Sequence, residues 1–339
     1  MAKAMRRALL RSIALALAAA SVSQPLATAA DEAFPSKPVT IIVPFVAGGS
    51  LDFTARVIAE KLSDVLHQPV IVANRPGATN TVAALALAAA PPDGHTLLLT
   101  SGATWGHAHL LVPGFKMKID DFVPIARVAT NNSIFAVNAR VPAATLAELV
   151  KFSQTKPEGL SFCTTGAGSQ NHLQLEMLRS LVKVKHAEQR FDVTPVPYNG
   201  LVPALTALRR GDVDACVLPY AASVKELDGK EIRIISVQAP KRIAQIPHVQ
   251  TTGEQGYPEM DQNESPVIFT VLKGTRPDVV RKLEAALKES MQDPTVIKRL
   301  DDADLQPGFI GAAETTARVH ADVAKTINVI RGAKLDVAQ

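Results

Sequence analysis

Short apolar segments alternate with helical segments along residues 39 to 218, and this alternation constrains the fold more than any other feature of the sequence. Parallel strands need long crossover connections, which helices supply, so the pattern predicts an α/β fold with doubly wound parallel sheets. The predicted strands are 39–43, 70–73, 95–100, 134–138, 160–164, 193–197, 215–218 and 232–237. The predicted helices are 51–67, 81–89, 146–155, 169–182, 202–210, 277–292 and 313–330.

The chain has 339 residues, which suits two domains. Two crossings are predicted, near residues 136–141 and 236–240. They place residues 137–238 in an inserted second domain, while residues 31–136 and 239–339 form a split first domain. Two α/β domains joined by two crossings make a hinge, and small ligands bind in such clefts at the carboxyl ends of the strands.

Residues 1–30 have the pattern of a secretory signal peptide: a basic start, an apolar run and small residues at 27–29. We therefore expect cleavage and a periplasmic location. The Arg6-Arg7 pair leaves the twin-arginine route open beside the general one. Four of the 36 basic residues lie in this segment, and the remaining 32 equal the 32 acidic residues. A neutral chain with 4% aromatic residues is a poor nucleic-acid binder.

Two cysteines, Cys163 and Cys216, lie in two segments that both predict buried strands of the inserted domain. An exported protein tolerates disulfides, so one bridge is consistent with the sequence. Two buried thiols that act as small apolar residues are equally consistent.

The strongest chemical feature is a pair of Gly-rich junctions between strand and helix, one in each predicted domain. They are Ala47-Gly48-Gly49-Ser50 and Gly166-Ala167-Gly168-Ser169. Free N–H groups and partial positive charge at a helix N-terminus favour an anionic oxygen, and glycine allows close approach. Ser50 and Ser169 are expected to cap or donate. Facing each other, the junctions would grip a carboxylate. Asp52 favours the helix dipole or holds the ligand or the loop, and both interpretations stay open.

Common catalytic signatures are absent from the sequence. It contains no G-x-x-x-x-G-K-[ST], G-x-S-x-G, H-E-x-x-H or C-x-x-C pattern. We therefore expect a binding protein that has no catalytic residues, no cofactor and no metal. An exported enzyme acting on a carboxylate is the weaker hypothesis, and His172 would be its first residue to test.

The ordered motifs of the chain resemble those of the Bug family, the periplasmic solute-binding receptors of tripartite tricarboxylate transporters. They are Val43-Pro44-Phe45-Val46-Ala47-Gly48-Gly49-Ser50-Leu51-Asp52, Asn74-Arg75-Pro76-Gly77-Ala78, Pro92-Asp93-Gly94, Gly166-Ala167-Gly168-Ser169, Val196-Pro197-Tyr198-Asn199-Gly200 and Gly253-Glu254-Gln255-Gly256-Tyr257-Pro258. The sequence departs from the family pattern in having Ala47 before the paired glycines, His95 after the Pro-Asp-Gly turn, and Pro219-Tyr220.

The resemblance implies a two-lobed periplasmic-binding-protein fold of type II. It also implies a monomer that captures a small carboxylate, partly through ordered water, and delivers it to membrane permease subunits. A ligand-binding subunit of a membrane sensor is the alternative. The residues that the resemblance assigns to the ligand come from both lobes: Phe45, Gly48, Gly49, Asp52, Ser101, Thr104, Gly166, Gly168, Ser169, Tyr198 and Asn199.

Overall fold

The computed structural model describes residues 33–77, 80–101, 104–227, 229–261 and 265–333. The signal segment 1–30 lies outside them. Contacts within the chain define an N-terminal unit that ends at Ser36 and a unit from Lys37 to Gln339. Residues 33–36 of the first unit contain no helix or strand, and everything that follows concerns the second unit.

The described residues contain eleven strands and eleven α-helices. The strands are β1 (Val39–Val43), β2 (Val70–Asn74), β3 (Thr96–Ser101), β4 (Phe122–Thr130), β5 (Ser133–Asn138), β6 (Leu160–Thr164), β7 (Val193–Pro197), β8 (Ala215–Pro219), β9 (Ile232–Gln238), β10 (Pro266–Leu272) and β11 (Gln306–Gly311). The helices are α1 (Ser50–Leu66), α2 (Thr81–Ala88), α3 (Thr104–Leu111), α4 (Leu146–Ser153), α5 (Gln170–Lys185), α6 (Leu201–Arg210), α7 (Tyr220–Ser223), α8 (Pro258–Asp261), α9 (Pro277–Ser290), α10 (Pro294–Asp301) and α11 (Ala312–Ala333).

The strands form two sheets. The first has the order β11-β4-β10-β3-β1-β2, and the second has the order β7-β6-β8-β5-β9. β1 pairs in parallel with β2 and β3, and β6 pairs in parallel with β7 and β8. The carboxyl ends of β1 and β3 therefore meet at one edge of the first sheet, and those of β6, β7 and β8 meet at one edge of the second.

Both sheets contain the predicted parallel strands, but each sheet is mixed. β10 runs antiparallel to β3 and β4, and β11 runs antiparallel to β4. In the second sheet β5 runs antiparallel to β8 and β9. The reversed strands are β5, β10 and β11, whereas β4 runs in the same direction as β3 and β9 in the same direction as β8. A strand that enters a sheet directly, without a helical crossover, has no constraint to run parallel.

The passage from the first sheet to the second is only two residues long. β4 ends at Thr130 and β5 begins at Ser133, so Asn131 and Asn132 form the whole connection. The return is longer: Tyr257 and Met260 still pack in a buried cluster of the second sheet, and β10 begins at Pro266. Tyr257 and Met260, which follow β9 in the chain, thus take part in the packing around the second sheet.

Cys163 and Cys216 are joined by a disulfide, with Cα atoms 4.4 Å apart. The two residues are direct neighbours on the parallel pair β6 and β8. Both are fully buried in an apolar cluster that covers one face of the second sheet. The disulfide therefore ties β6, which leads into the second Gly-rich junction, to its neighbour β8.

Candidate functional site

The first Gly-rich loop connects β1 to α1 and is exposed from Phe45 to Gly48. Gly48 has φ +89°, a left-handed conformation that a side chain would strain. Gly49 is the N-cap residue, and it has no side chain with which to cap the helix. The predicted N-cap role of Ser50 is therefore wrong. Ser50 is already the first helical residue, and its hydroxyl accepts a hydrogen bond from Asn131 instead. The first N–H groups of α1 have no intrahelical partner and face the loop.

A buried carboxylate holds the first loop in shape. Asp52 is 3% exposed, and its Oδ2 accepts the Gly48 N–H at 2.9 Å. Arg56 donates to both carboxylate oxygens, at 3.0 and 2.9 Å, and Asn74 Nδ2 donates to Oδ1 at 2.9 Å. Burial by itself raises the pKa of Asp52, but the hydrogen bonds from Arg56, Gly48 and Asn74 outweigh it and lower the pKa below its ordinary value. Asp52 is thus an anion at neutral pH, and its hydrogen bonds fix the loop.

The second Gly-rich loop connects β6 to α5. Gly166 and Gly168 have φ of +149° and +68°. Ser169 is the N-cap residue, as the sequence predicts, and its hydroxyl accepts the His172 N–H at 3.3 Å. The loop is closed by a 3.2 Å hydrogen bond from Ser169 N to the Gly166 carbonyl. Gly168 is buried, so this loop is more enclosed than the first.

His172 holds the second loop from inside the protein. Its Nδ1 accepts the Gly168 N–H at 3.0 Å, and the residue is 7% exposed. Burial lowers the pKa of His172; Glu176 opposes this effect and Arg179 adds to it. These effects together favour the neutral imidazole. Its Nε2 is buried and has no hydrogen-bond partner among the described residues.

The short connection between the sheets and the first residue of β5 contact the helices of the two loops. Asn131 Nδ2 donates to Ser50 Oγ at 3.0 Å, and Asn171 Nδ2 donates to Ser133 Oγ at 3.3 Å. Asn131 and Ser133 are two residues apart, so their Cα atoms are separated by at most about 7 Å. The N-termini of α1 and α5 consequently converge on one short stretch of backbone. Two positive helix ends so placed create an anion-attracting region between the lobes.

Of the other predicted ligand residues, some lie at the two loops and some have side chains that the structure does not describe. The Tyr198 N–H donates to the Thr164 carbonyl at 3.0 Å, which places the Tyr198 turn against the second loop, and Asn199 is exposed beside it. Phe45 is 40% exposed on the first loop. Ser101 ends β3 and Thr104 begins α3, but their side chains lie outside the described part of the structure.

Sequence reasoning missed the polar residues that link these parts. Asn74, Asn131, Ser133 and Asn171 were not among the predicted site residues, yet each contacts a loop or its helix. A sequence signal existed for two of them. Asn131, Asn132 and Ser133 form a polar run between two apolar segments, and all three are at least 95% buried. Buried amides that interrupt an apolar segment need specific partners.

The described residues contain no group of three or more histidine, cysteine, aspartate or glutamate side chains arranged to hold a metal ion. None of the described helices combines the length and the apolar character that a bilayer crossing requires. A cavity of about 360 Å³ lies apart from the two loops, between residues 240–245 and 301–306.

The family model described as "Tripartite tricarboxylate transporter family receptor" matches residues 54–335 of this chain. Among curated relatives, a UPF0065 protein from the tcbD-tcbE intergenic region of Pseudomonas sp. strain P51 is 32% identical over 315 residues, which cover 92% of this chain and 89% of that protein. Protein BugT of Bordetella pertussis is 29% identical over 333 residues, covering 96% and 98%.

Solved structures of the same fold contain carboxylates. Rpa4515 of R. palustris, solved with adipate, is 27% identical, with a TM-score of 0.76 over 89% of this chain and 99% of that one. MatC of Rhodopseudomonas palustris, with bound malate, is 28% identical, with a TM-score of 0.73 over 88% and 100%. The two-lobed periplasmic-binding-protein fold expected from the sequence is therefore confirmed.

Proposed function

This chain belongs to the family of tripartite tricarboxylate transporter receptors that includes the Bug proteins, and from that membership we propose that it captures a small carboxylate between its two Gly-rich loops. In this proposal it then delivers the carboxylate to the membrane subunits of a tripartite transporter. It acts in the periplasm after residues 1–30 are removed. The ligand residues are those assigned from the family motifs, from Phe45 to Asn199.

The convergence of the two loops carries the proposal. Asn131 and Ser133, two residues apart, contact the helices of the first and second loop respectively. Both helices begin next to a left-handed glycine, and a ligand can approach the backbone closely there. A carboxylate placed between them would receive N–H donors from both lobes, directly or through water. Binding would then hold the lobes together.

The ligand class follows from this geometry and from relatives. Helix N-termini favour anionic oxygens, and the related structures named above hold adipate and malate. Both compounds are dicarboxylates of modest size. We therefore propose a small mono- or dicarboxylate for this chain.

We propose that binding, and not catalysis, is the activity of the site. The first loop has a carboxylate, Asp52, but it is fully engaged with Gly48, Arg56 and Asn74. The only imidazole in contact with the second loop, within the described residues, is His172, whose Nδ1 is occupied by Gly168. The two-domain division, with residues 137–238 inserted into a split first domain, is part of the same proposal.

A thermal-shift screen of the chain lacking residues 1–30 tests this function. The panel contains adipate, malate, tricarboxylates, monocarboxylates and amino acids, because a ligand that binds only the folded state raises the unfolding midpoint. We expect a concentration-dependent rise with one class of acid. Cooperative unfolding with no shift for any acid would contradict carboxylate capture.

A matched pair of glycine variants locates the binding site. Gly49→Ala adds a methyl group on the first loop, 3.7 Å from its nearest neighbour, and Gly308→Ala adds one on β11, 3.5 Å from its nearest neighbour. Both residues lack a left-handed φ, so neither change strains the backbone. Gly49→Ala should reduce the shift that the ligand produces, whereas Gly308→Ala should leave it unchanged. Equal shifts in the two variants would argue against the first loop.

A further inference from the structure

The two loops share one hydrogen-bond arrangement. In each, the third residue of the helix accepts the N–H of a left-handed glycine four residues earlier. Asp52 Oδ2 accepts from Gly48 at 2.9 Å, and His172 Nδ1 accepts from Gly168 at 3.0 Å. The glycines have φ of +89° and +68°. The arrangement is a variant of the capping box, in which a side chain at this position satisfies an N–H before the helix.

The acceptors differ in chemistry. Asp52 is an anion paired with Arg56. Near neutral pH its carboxylate is ionised and can only accept hydrogen bonds. His172 accepts at Nδ1 only when its ring proton is on Nε2. A second proton would turn Nδ1 into a donor, opposite another donor at 3.0 Å. The Gly168 N–H and the ring would then have to separate.

We propose that His172 is the positioning residue of the second loop, that only its neutral, Nε2-protonated form holds Gly168 in the ligand-binding geometry, and that protonation releases the loop and lowers ligand affinity. This inference rests on the proposed function, because it assigns a pH response to the same site. The first loop keeps its geometry over the same pH range. The site thus has one constant loop and one that responds to pH.

The surroundings of His172 favour the neutral form. Burial is the largest effect and lowers its pKa, and the charged groups that act on the ring are Glu176, which opposes the shift, and Arg179, which adds to it. Glu176 is itself held by Arg179 at 2.8 Å, which weakens its pull on an imidazolium. Two helices packed against α5 also carry charged side chains, and none of them is among the charges that shift the pKa of His172: Glu259 and Asp261 on α8, and Glu314, Arg318, Asp322, Lys325 and Arg331 on α11.

The first test needs no ligand. Nitrogen-detected or long-range ¹H–¹⁵N NMR of the labelled chain reports the tautomer of His172 and its titration, while backbone spectra follow the Gly48 and Gly168 amides. We expect the Nε2-protonated tautomer at neutral pH, a midpoint below the ordinary 6.5 and a Gly168 amide that moves with the same midpoint. The Gly48 amide should not move in that range. A ring protonated on Nδ1 at neutral pH, or a Gly168 amide that ignores the titration, would overturn the proposal.

The second test compares affinities for adipate and malate at pH 7.5 and at one pH unit below the His172 midpoint found by NMR. Wild-type affinity should fall about tenfold for each pH unit below the midpoint, because only the neutral fraction is competent. His172→Asn keeps an acceptor oxygen at the Nδ1 position but does not titrate, so this fall should disappear. Protonation of the ligand itself lowers the affinity of both proteins equally, so this effect cancels when the two are compared. His172→Leu, which has no acceptor, should bind more weakly at both pH values.

An equal fall in wild type and His172→Asn would overturn the proposal. Unfolding midpoints without ligand show whether each variant is folded. The NMR test shows, without any variant, whether the titration of His172 moves Gly168. If the wild type binds no carboxylate at any pH, the proposed function fails, and the tautomer and the Gly168 titration still decide the role of His172.

Discussion

The side-chain amide of Asn131 donates to the hydroxyl of Ser50 at 3.0 Å and so connects the passage between the sheets to the first turn of α1. Asn131 is 5% exposed, and its own backbone N–H donates to the Ser265 carbonyl on the returning chain. Asn131 therefore lies in one connection between the sheets and forms hydrogen bonds with the other connection and with α1. A movement of the lobes relative to each other would therefore alter the hydrogen bond at Ser50.

We predict that Asn131 and Ser50 are energetically coupled. Each single change to Ala should lower the free energy of unfolding, because the remaining partner, buried Asn131 or partly buried Ser50, loses its hydrogen bond. The double variant should lose less than the sum, by about 1 kcal/mol. Urea unfolding of the four proteins measures this difference. The Asn171 and Ser133 pair provides the matched cycle for the second loop, and strict additivity in both cycles would refute the coupling.

The two glycines of the first loop should respond differently to the same change. Gly48→Ala forces a side chain into φ +89° and should cost about 1 kcal/mol of stability or more, although open space surrounds the new methyl group. Gly49→Ala has neither strain nor a close contact and should cost much less. Equilibrium unfolding compares them. Equal losses would mean that the loop does not hold Gly48 in this conformation.

The sequence predicts well the parts of the fold that repeat a local pattern. The strands β1, β6 and β7 have the predicted bounds, and α1 differs by a residue at each end. The strands β4, β10 and β11 were missed. β4 contains Pro124 and Arg127, and β11 contains Pro307 and Gly308, which disguise a strand pattern. Their pairing spans much of the chain, and local periodicity carries no information about such contacts.

Helix α10 was also missed, although a local signal for it existed. Asp293 caps the helix through the Thr295 N–H, and Pro294 is its first residue. This Asp-Pro pair, followed by apolar residues at three- and four-residue spacing, is a usual helix start. Helix α10 could therefore have been predicted from the sequence.

We predict that Asp52 makes stability depend on acidic pH. The folded chain lowers its pKa below the ordinary 3.8, so the stabilisation is present above that value and is lost as the pH falls through the lowered one. Asp52→Asn keeps an acceptor for Gly48 but loses the charge opposite Arg56. It should cost about 2 kcal/mol at pH 7 and less at pH 3. Urea unfolding at both pH values tests this, and an equal cost at both would contradict the ionic role.

The Arg56 side chain is half exposed, so its share of this energy should be modest. Arg56→Gln serves as the control, because it removes the cation but leaves the carboxylate and the Gly48 hydrogen bond. Its cost should be smaller than that of Asp52→Asn.

Loss of the Cys163–Cys216 disulfide should destabilise the second sheet. The bridge closes a loop with a sequence separation of 53, and loops of this size contribute about 4 kcal/mol in the chain-entropy description. Cys163→Ser with Cys216→Ser should lower the unfolding midpoint and remove its sensitivity to reductant. The wild type should show no reactive thiol under denaturing, non-reducing conditions. Two reactive thiols would contradict the bridge.

The site was predictable only in part, and for a physical reason. Gly48, Gly166 and Gly168 stand out because their positive φ favours glycine, and that requirement is local. The link between Asn131 and Ser50 joins residues 81 positions apart. Whether a buried amide finds such a partner depends on topology. The sequence therefore identified both loops but not the residues that connect them.

A crystal structure of the chain with its carboxylate bound tests the central claim most directly. We predict one carboxylate group within hydrogen-bond distance, directly or through a single water, of N–H groups from residues 48–50 and from residues 166–169. A ligand that contacts only one loop, or that occupies the cavity between residues 240–245 and 301–306, would contradict capture between the loops.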